Sequence, residues 1–588
     1  MGAPHRVRFR RQRPQGLSRR QLLKSLGLGS LALAGGALLP ACGTRSEPPA
    51  AAGPLPQPPV SDAPLAPAGA EFLHGVASGD PLSDRVILWT RVSLDEATVA
   101  AGRAVAIDWL LSRATDLSAP VASGRFLTDA ARDYTVKPDV AGLASYTTYY
   151  YQFSLVLADG SVVRSPIGRT KTAPRAGEAD RLRFVSASCQ NMGFGYFNSH
   201  GAIALKPDLD AMLFLGDYIY ETGGASQIEG RSPVPAKEIT TLLDYRQRHA
   251  QYKTDPDLQA AHRQIPFICI WDDHETTNNS YRAGADNHTE GAEAEGCWEE
   301  RMGWAIRAYF EWMPIRDNPL TAFDAPTAAA CPGVPLSGYL PEGNGSIQRR
   351  FRYGDLVDLF MLDTRLAGRA IQNGTTIVSA EQTILGTAQR DWLLAELSAS
   401  SAQWKLVGQQ MTFAPIKVLP LPEAQGGTYL NEDAWDGYRF DRNAVLERIE
   451  SEAIGNVVFL SGDTHVVTAF DVPREPSDPT RYNPVTGEGS LAVEFSNNGV
   501  ANVGIIGEVF QANNPHLKYA DLVNHGYLLL DITAERVQGE YYFTSPAQNV
   551  RSATEQFARA LSCADGSQRL TTVLTATTGR GDAPPLAP

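Results

Sequence analysis

Five short apolar runs, each ending abruptly in polar or ionisable residues, constrain the fold of this 588-residue chain more than any other feature. The runs are 182–187, 211–215, 266–271, 356–362 and 457–460. Because they are mostly apolar and do not alternate strictly, each predicts a β-strand that is covered on both faces. Helical patterns lie between them, at 238–249, 298–310, 389–397 and 442–450. The sequence therefore predicts an α/β sandwich, whose ligand site lies beyond the carboxyl ends of the strands.

The residues that follow these runs are of the kinds that bind metal ions. Cys189 follows the first run, and Asp217 follows the second, with Tyr220 three residues later. The other three runs end in Asp272-Asp273-His274, Asp363-Thr364-Arg365 and Asp463-Thr464-His465. One such side chain is a weak indication, because Asp and His often cap strand ends. Five successive strand ends of this kind predict a shared site.

A different pattern precedes the apolar runs, in residues 71–172. Short segments are divided there by Gly, Pro, Asp and Ser, and in 149–157 every odd position is aromatic or Leu. A period of two indicates strands with one buried face, and Asp159-Gly160 is a turn signal. This region predicts a β-sandwich that resembles the immunoglobulin or fibronectin type III architecture.

Residues 1–42 are typical of an export signal. Ser18-Arg19-Arg20 precedes a Gly/Ala/Leu run, and the paired arginines resemble a twin-arginine (Tat) signal. An ordinary secretory signal is the alternative. Residues 43–70 are rich in Pro and Ala and predict an extended linker.

The end of this signal also resembles a lipoprotein cleavage box. Leu39-Pro40-Ala41-Cys42 would leave Cys42 to be acylated, and plain cleavage nearby is the alternative. We therefore expect a periplasmic, secreted or lipid-anchored protein that contacts the membrane only through its signal peptide or lipid anchor.

The charge of the chain excludes one class of function. The formal net charge is −13; eight of the 52 basic residues lie in the first 41 positions, whereas all 65 acidic residues lie after them. A body this acidic repels a nucleic-acid backbone. Nucleic-acid binding is thus excluded as the main role.

The chain has six cysteines, which are few for an exported protein of this length. Without Cys42 their number is odd, so at least one thiol stays unpaired, and a metal ion would be a reason to keep it so. Cys297 and Cys331 flank a long insertion and are candidates for a disulfide.

The order of the strand-end motifs is similar to that of the calcineurin-like metallophosphoesterase superfamily. Within it, the chain closely resembles the alkaline phosphatase D (PhoD-like) family, which includes some phospholipase D enzymes. The likeness covers roughly residues 70–545 and is carried by FLHGVASGDP (72–81), SASC (186–189), GDYIYE (216–221), WDDHE (271–275), FMLDTR (360–365), GQQM (408–411) and SGDTH (461–465). It implies a four-layer α/β/β/α metallophosphoesterase sandwich over 180–545, preceded by the β-sandwich and followed by a tail, 546–588.

The resemblance implies that Fe³⁺ and Ca²⁺ are the cofactors. The superfamily usually begins with an Asp-x-His pair, and here a Cys thiolate takes that place. Anionic ligands stabilise the higher charge of ferric iron. The iron ligands carried over by position are Cys189, Asp217, Tyr220 and His465.

The second ion implied is calcium, which prefers oxygen ligands. Asp217 would bridge the two ions, and Asp463 with a residue of the 273–279 loop would complete the calcium site. The loop candidates are Asp273, which we favour, and Asn278 and Asn279.

The resemblance also implies a metal-dependent phosphoric ester hydrolase. An alkaline phosphatase-like phosphomonoesterase would act on small phosphate esters through a hydroxide activated by two metal ions. His274 matches the superfamily's catalytic histidine and would act as general acid. Arg365 is a candidate phosphate clamp, with pairing to Asp363 in the core as the alternative.

Two other functions remain open at this stage. One is a phosphodiesterase or phospholipase D that acts on phospholipids or wall polymers. The other is a non-catalytic cell-surface binding protein, against which the intact strand-end residues argue. The sequence does not predict the oligomeric state.

Overall fold

The computed structural model describes residues 69–588, except 292–293, 318–346, 374–376, 418–430, 502–512 and 545–547. The predicted export signal, Cys42, nearly all of the predicted linker and Cys331 lie outside the described residues. The described residues belong to one compact unit, Glu47–Pro588. Within them, no helix has the length and apolar character needed to cross a membrane.

The strands, in chain order, are β1 (Val76–Gly79), β2 (Arg85–Arg91), β3 (Val105–Ser112), β4 (Pro120–Thr128), β5 (Thr135–Val136), β6 (Asp139–Ala141), β7 (Thr148–Val156), β8 (Val162–Arg164), β9 (Gly168–Lys171), β10 (Arg181–Gln190), β11 (Ala211–Phe214), β12 (Phe267–Cys269), β13 (Arg349–Tyr353), β14 (Val357–Met361), β15 (Trp404–Gly408), β16 (Val457–Ser461), β17 (Val467–Pro473), β18 (Ser490–Ser496), β19 (Gly499–Ala501), β20 (Leu517–Asp521), β21 (Gly526–Thr533), β22 (Arg536–Thr544), β23 (Glu555–Ala564) and β24 (Thr571–Val573). The α-helices are α1 (Glu96–Ala100), α2 (Asn198–Ile203), α3 (Leu242–Tyr252), α4 (Pro256–Gln264), α5 (Trp298–Trp312), α6 (Gly386–Ala399) and α7 (Arg439–Ser451).

All five apolar runs form strands, namely β10, β11, β12, β14 and β16. The four helical patterns correspond to α3, α5, α6 and α7. Helix α3 starts later than its pattern, because Thr241 caps it: the Thr241 hydroxyl accepts from the Asp244 N–H at 3.3 Å in a capping box.

Two sheets form the centre of the fold. A twelve-stranded sheet has the order β24-β23-β22-β21-β10-β11-β12-β1-β2-β5, with β19 beside β10 and β6 beside β2, and β10, β11 and β12 run parallel. A seven-stranded sheet has the order β13-β14-β15-β16-β18-β17-β20, and β14, β15 and β16 run parallel.

The seven-stranded sheet buries both of its faces. On β16, Val458 and Leu460 pack into the core shared with the twelve-stranded sheet, whereas Val457 and Phe459 pack against residues of α6 and α7. Helices α2 to α5 contribute to the core of the twelve-stranded sheet. The predicted α/β/β/α layering is therefore confirmed.

The N-terminal region forms a β-sandwich, as predicted. One layer is the five-stranded sheet β4-β3-β7-β8 with β9, and strands β1, β2, β5 and β6 enclose a separate core with it. That second layer continues into the twelve-stranded sheet, because Gly79 of β1 pairs with Phe267 of β12. The sandwich thus shares a sheet with the layers that follow it.

Residues 546–588 are not a tail, and this prediction was wrong. Strand β23 pairs with β22 from Arg536↔Ala564 to Thr544↔Glu555, and β24 extends the sheet further. The physical reason is the open edge that β22 would otherwise present, with its unpaired backbone groups.

Three cysteines, Cys189, Cys269 and Cys563, are buried and free. Cys297 is disulfide-bonded. The described residues do not include its predicted partner, Cys331, so that pairing stays a prediction.

Candidate metal centre

The centre lies where the carboxyl ends of the parallel strands of both sheets meet. Cys189 is the penultimate residue of β10, and the residues after β11, β12, β14 and β16 supply the rest. Gly216 allows two of these strand ends to touch: its φ is 107°, and a Cβ atom there would lie 2.5 Å from Cβ of Asp272. A side chain at this position would therefore push the loops after β11 and β12 apart.

The four predicted iron ligands come together. Ligand atoms of Cys189, Asp217 and His465 all lie within 4.8 Å of one another. The Tyr220 hydroxyl donates to Asp217 Oδ2 at 2.8 Å and lies 3.3 Å from His465 Nε2. One thiol, one carboxylate, one phenol and one imidazole thus converge from β10, β11 and β16.

The backbone is strained at three of these four residues and at Asp463. Cys189, Asp217, Asp463 and His465 have φ values of 56°, 57°, 61° and 57°, in the left-handed region. Such a conformation costs about 1–3 kcal/mol for a residue other than glycine and tends to occur at functional sites.

Two further groups adjoin the first. Asp217 also lies within 4.8 Å of Asp273 and His274, and Asp273 in turn lies within 4.8 Å of Asp272 and Asp463. Asp217 Oδ1 and Asp272 Oδ2 are buried and find no hydrogen-bond partner among the described residues. Since a buried carboxylate oxygen without a donor is costly, these atoms fit cation ligands.

The electrostatics of the site also fit a cation. Burial, followed by the negative charge of Asp217, raises the pKa of the Cys189 thiol and of the Tyr220 phenol well above their usual values. Burial likewise raises the pKa of Asp272. A bound cation would reverse these shifts, because it favours the anionic forms that act as ligands.

His274 is held by Glu221, a residue to which sequence reasoning gave no role. Its Nδ1 lies 2.6 Å from Glu221 Oε2, and its ring lies against Tyr220 with 4.2 Å between centroids. Burial alone would lower the pKa of His274, but Glu221, Asp273 and Asp217 outweigh it and raise that pKa well above 6.5. The Glu221 carboxylate therefore favours the protonated form of this imidazole.

Arg365 does not occupy the position expected of a phosphate clamp. Its side chain is fully buried, with Nε 2.5 Å from Asp272 Oδ1, Nη1 2.8 Å from Asp433 Oδ2 and Nη2 2.8 Å from Asp463 Oδ1. The alternative pairing with Asp363 is also wrong, because that carboxylate accepts the backbone N–H of Arg365 at 3.0 Å. A guanidinium fully engaged with carboxylates is not directed at a substrate.

The two asparagine candidates, Asn278 and Asn279, lie beside the group formed by Asp217, Asp273 and His274. The Asn278 backbone N–H donates to Glu221 Oε1 at 2.9 Å. The Asn279 backbone N–H donates to Asp273 Oδ2 at 2.6 Å, and its side chain donates to Asp286. Their role as calcium ligands stays a prediction.

Three residues of the site besides Glu221 had no individual role predicted from the sequence, although Asp272 was among the strand-end residues. Asp272 and Glu275 stand in the WDDHE motif, so adjacency to predicted ligands was a usable signal. Asp433 follows no apolar run and lies 68 residues from its partner Arg365, so no local pattern identifies it.

Comparisons with known proteins agree with this geometry. Two family models match the chain: "PhoD-like phosphatase" over residues 184–541 and "PhoD-like phosphatase, N-terminal domain" over residues 59–174. Alkaline phosphatase D of Bacillus subtilis (strain 168) is 34% identical over 415 residues, which are 68% of this chain and 65% of that protein. The chain thus matches slightly less than two thirds of the length of this relative.

Solved structures give the same relationship. A structure of PhoD is 29% identical, with a TM-score of 0.72, over 89% of this chain and 95% of that one. The purple acid phosphatase PPD1 from yellow lupin (Lupinus luteus) seeds is 12% identical, with a TM-score of 0.50, over 88% and 78% of the two chains. The second likeness shows a shared fold alone. The family-model match over residues 184–541 and the 34% identity to the Bacillus subtilis protein show that the chain belongs to the PhoD-like phosphatase family.

Proposed function

We propose that the protein hydrolyses phosphate esters at a metal centre built on Asp217. The observation that carries this proposal is the position of Asp217 in two groups of ligand atoms at once, with a buried Oδ1 that has no donor among the described residues. A carboxylate placed in this way can bridge two cations.

The donor types suggest which ion each group would hold. Cys189, Asp217, Tyr220 and His465 suit ferric iron, because a thiolate and a phenolate stabilise its charge. Asp273 and Asp463, with Asn278 as a further candidate, offer only oxygen and suit calcium. When bound, such ions bind phosphate oxygens and lower the pKa of a coordinated water.

The chain itself supplies the proton donor. Glu221 occupies Nδ1 of His274, which leaves Nε2 for the substrate. The Glu221 carboxylate favours the protonated form of this imidazole, which can donate to the oxygen of the leaving group. The ring of Tyr220, which lies against that of His274, limits the rotation of the imidazole.

The acidic walls of the site make the cation a requirement. Asp217, Asp272, Asp273 and Asp463 would repel a phosphate anion unless cations neutralise them. We therefore expect chelation with EDTA to abolish turnover and added Ca²⁺ with iron to restore it.

Asp217→Asn tests the proposal directly. An amide cannot bridge two cations as a carboxylate does, so we expect kcat/KM on p-nitrophenyl phosphate to fall by about 10²–10³-fold or more. The bound metal per chain, measured by mass spectrometry, should fall with it. The matched control is Asp391→Asn, because Asp391 is an aspartate on α6 with 65% of its side chain accessible. This variant should behave as wild type. Near-normal activity of Asp217→Asn would refute the role of Asp217.

A parallel assay separates the monoesterase from its alternatives. We expect p-nitrophenyl phosphate to be cleaved faster than bis-p-nitrophenyl phosphate. The reverse order would favour the phosphodiesterase or phospholipase D alternative, and no turnover of either ester by the metal-loaded protein would favour a binding protein.

A further inference from the structure

We propose that Arg365 is a positioning residue of the metal centre, which holds carboxylates from both sheets in place for the oxygen-ligand cation. The inference rests on the proposed function, because it assumes that Asp273 and Asp463 bind a cation. It assigns Arg365 a role different from contact with the substrate.

The Arg365 guanidinium joins loops that lie far apart in the sequence. Asp272 and Asp273 follow β12 of the twelve-stranded sheet, whereas Arg365 and Asp463 follow β14 and β16 of the seven-stranded sheet. Arg365 Nε donates to Asp272 Oδ1, and Arg365 Nη2 donates to Asp463 Oδ1. Asp273 Oδ1 lies 3.7 Å from Nη2. Arg365 thus spans the junction of the two sheets at the centre itself.

The outer side of the guanidinium is fixed by Asp433. Its Oδ2 accepts from Arg365 Nη1 at 2.8 Å, and its other oxygen pairs with Arg369, a second buried arginine. Asp433 has 22% of its side chain accessible, so it closes the network at the solvent side. The planar fork of arginine can serve three carboxylates in three directions, whereas the ammonium of lysine is a single point charge.

Two effects of removing the guanidinium oppose each other. Its positive charge repels a cation, so its loss would by itself tighten cation binding. However, its loss also leaves buried carboxylates without their counter-charge, which is unfavourable and drives them to protonate or to turn away. We expect the second effect to win, because residues that orient metal ligands typically contribute about 10–100-fold to metal affinity.

The experiment compares three full-length variants with wild type. In Arg365→Met we expect the Ca²⁺ affinity of the iron-loaded protein, measured by calorimetry, to fall about 10–100-fold. Arg365→Lys should recover part of this loss. Arg442→Met is the matched control: it removes a buried arginine whose partner, Asp436, belongs to none of the groups of candidate ligand atoms, and it should keep wild-type affinity.

A second readout tests whether the effect is local. The metal-free proteins are titrated with Co²⁺, and the thiolate-to-cobalt absorption band reports binding at Cys189. Because Arg365 contacts Asp272, Asp433 and Asp463 and not this group, we expect the same band in wild type and Arg365→Met.

Unchanged or tighter Ca²⁺ binding in Arg365→Met would overturn the proposal, and so would loss of the cobalt band. If Arg365→Met does not fold, Arg365→Lys decides: wild-type Ca²⁺ affinity would then overturn it. Failure of the proposed function looks different, since wild type would bind the cations and cleave neither ester.

Discussion

Glu275 is a buried carboxylate that fixes two strand-end loops by backbone contacts alone. Its Oε2 accepts the N–H groups of Asp217 at 3.1 Å and Asp272 at 2.8 Å, and its Oε1 accepts that of Tyr218 at 2.5 Å. A single side chain thus sets the separation of the loops that carry two candidate ligands.

Glu275→Gln should therefore destabilise the protein despite its equal size. The amide oxygen can replace one carboxylate oxygen, but the NH₂ group then faces a backbone N–H and leaves it unsatisfied. We expect the free energy of unfolding to fall by about 1–3 kcal/mol in urea titrations. Glu450→Gln, at an exposed glutamate on α7 paired with Arg474, should change it by less than about 1 kcal/mol. Equal effects of both substitutions would contradict the role of Glu275.

At the scale of elements, the apolar runs were sufficient to predict the strands and the edge where the ligands meet. A strand that is buried on both faces is apolar almost throughout, and few other elements have such a short apolar sequence. Glu221 and Asp433 were not predictable as partners of His274 and Arg365, because they lie 53 and 68 residues from them in the chain and share no local pattern with them. The sharing of β1 and β2 between the sandwich and the large sheet was missed for the same reason.

The C-terminal segment 575–588 is an element that carries no regular structure yet joins two parts of the fold. Arg580 Nη1 donates to Tyr146 Oη at 2.7 Å and pairs with Asp210 at 3.1 Å. Further on, the Ala587 N–H donates to Gln264 Oε1 at 2.9 Å. The segment therefore ties the β-sandwich to the amino ends of the parallel strands, opposite the metal centre.

Deletion of residues 575–588 should lower stability without altering the chemistry. We expect the midpoint of thermal unfolding to fall by several degrees, since the buried Asp210 loses one of its two cationic partners and keeps Lys171. At 25 °C, kcat/KM should stay within about twofold of wild type, because the contacts lie at the other end of the strands. Arg580→Ala should show part of the same shift by calorimetry, and an unchanged midpoint in both variants would contradict this role.

At the scale of the whole molecule, five buried histidines destabilise the folded protein as the pH falls. Burial is the main cause that lowers the pKa of His74, His249 and His516 to about 3 and of His200 to about 4, and it lowers that of His262 well below its usual value. An unfolded chain binds protons at these positions below pH of about 6.5. Since the folded protein does not, each histidine reduces the free energy of unfolding as the pH falls from 6.5 towards 3.

Buried carboxyl groups act in the opposite direction at milder pH. Burial raises the pKa of Glu494 to about 7 and of Asp436 to about 6. Because these values exceed those of the unfolded chain, the folded protein takes up protons first and gains stability as the pH falls through this range. The total pH profile therefore mixes both signs, and a difference between two variants is needed to isolate one histidine.

His516→Gln provides that difference. His516 Nε2 donates to the Pro415 carbonyl at 2.8 Å, and its neutral ring is fully buried. At pH 7.5 we expect the variant to be less stable by about 1–3 kcal/mol, the usual cost of a buried polar substitution. On acidification the wild type alone bears the cost of keeping this ring neutral, so the deficit should shrink by about 1.4 kcal/mol per pH unit below 6.5. Urea unfolding at pH 7.5, 6.0, 5.0 and 4.5 measures it, and a deficit that stays constant would mean that His516 takes up its proton equally in both states.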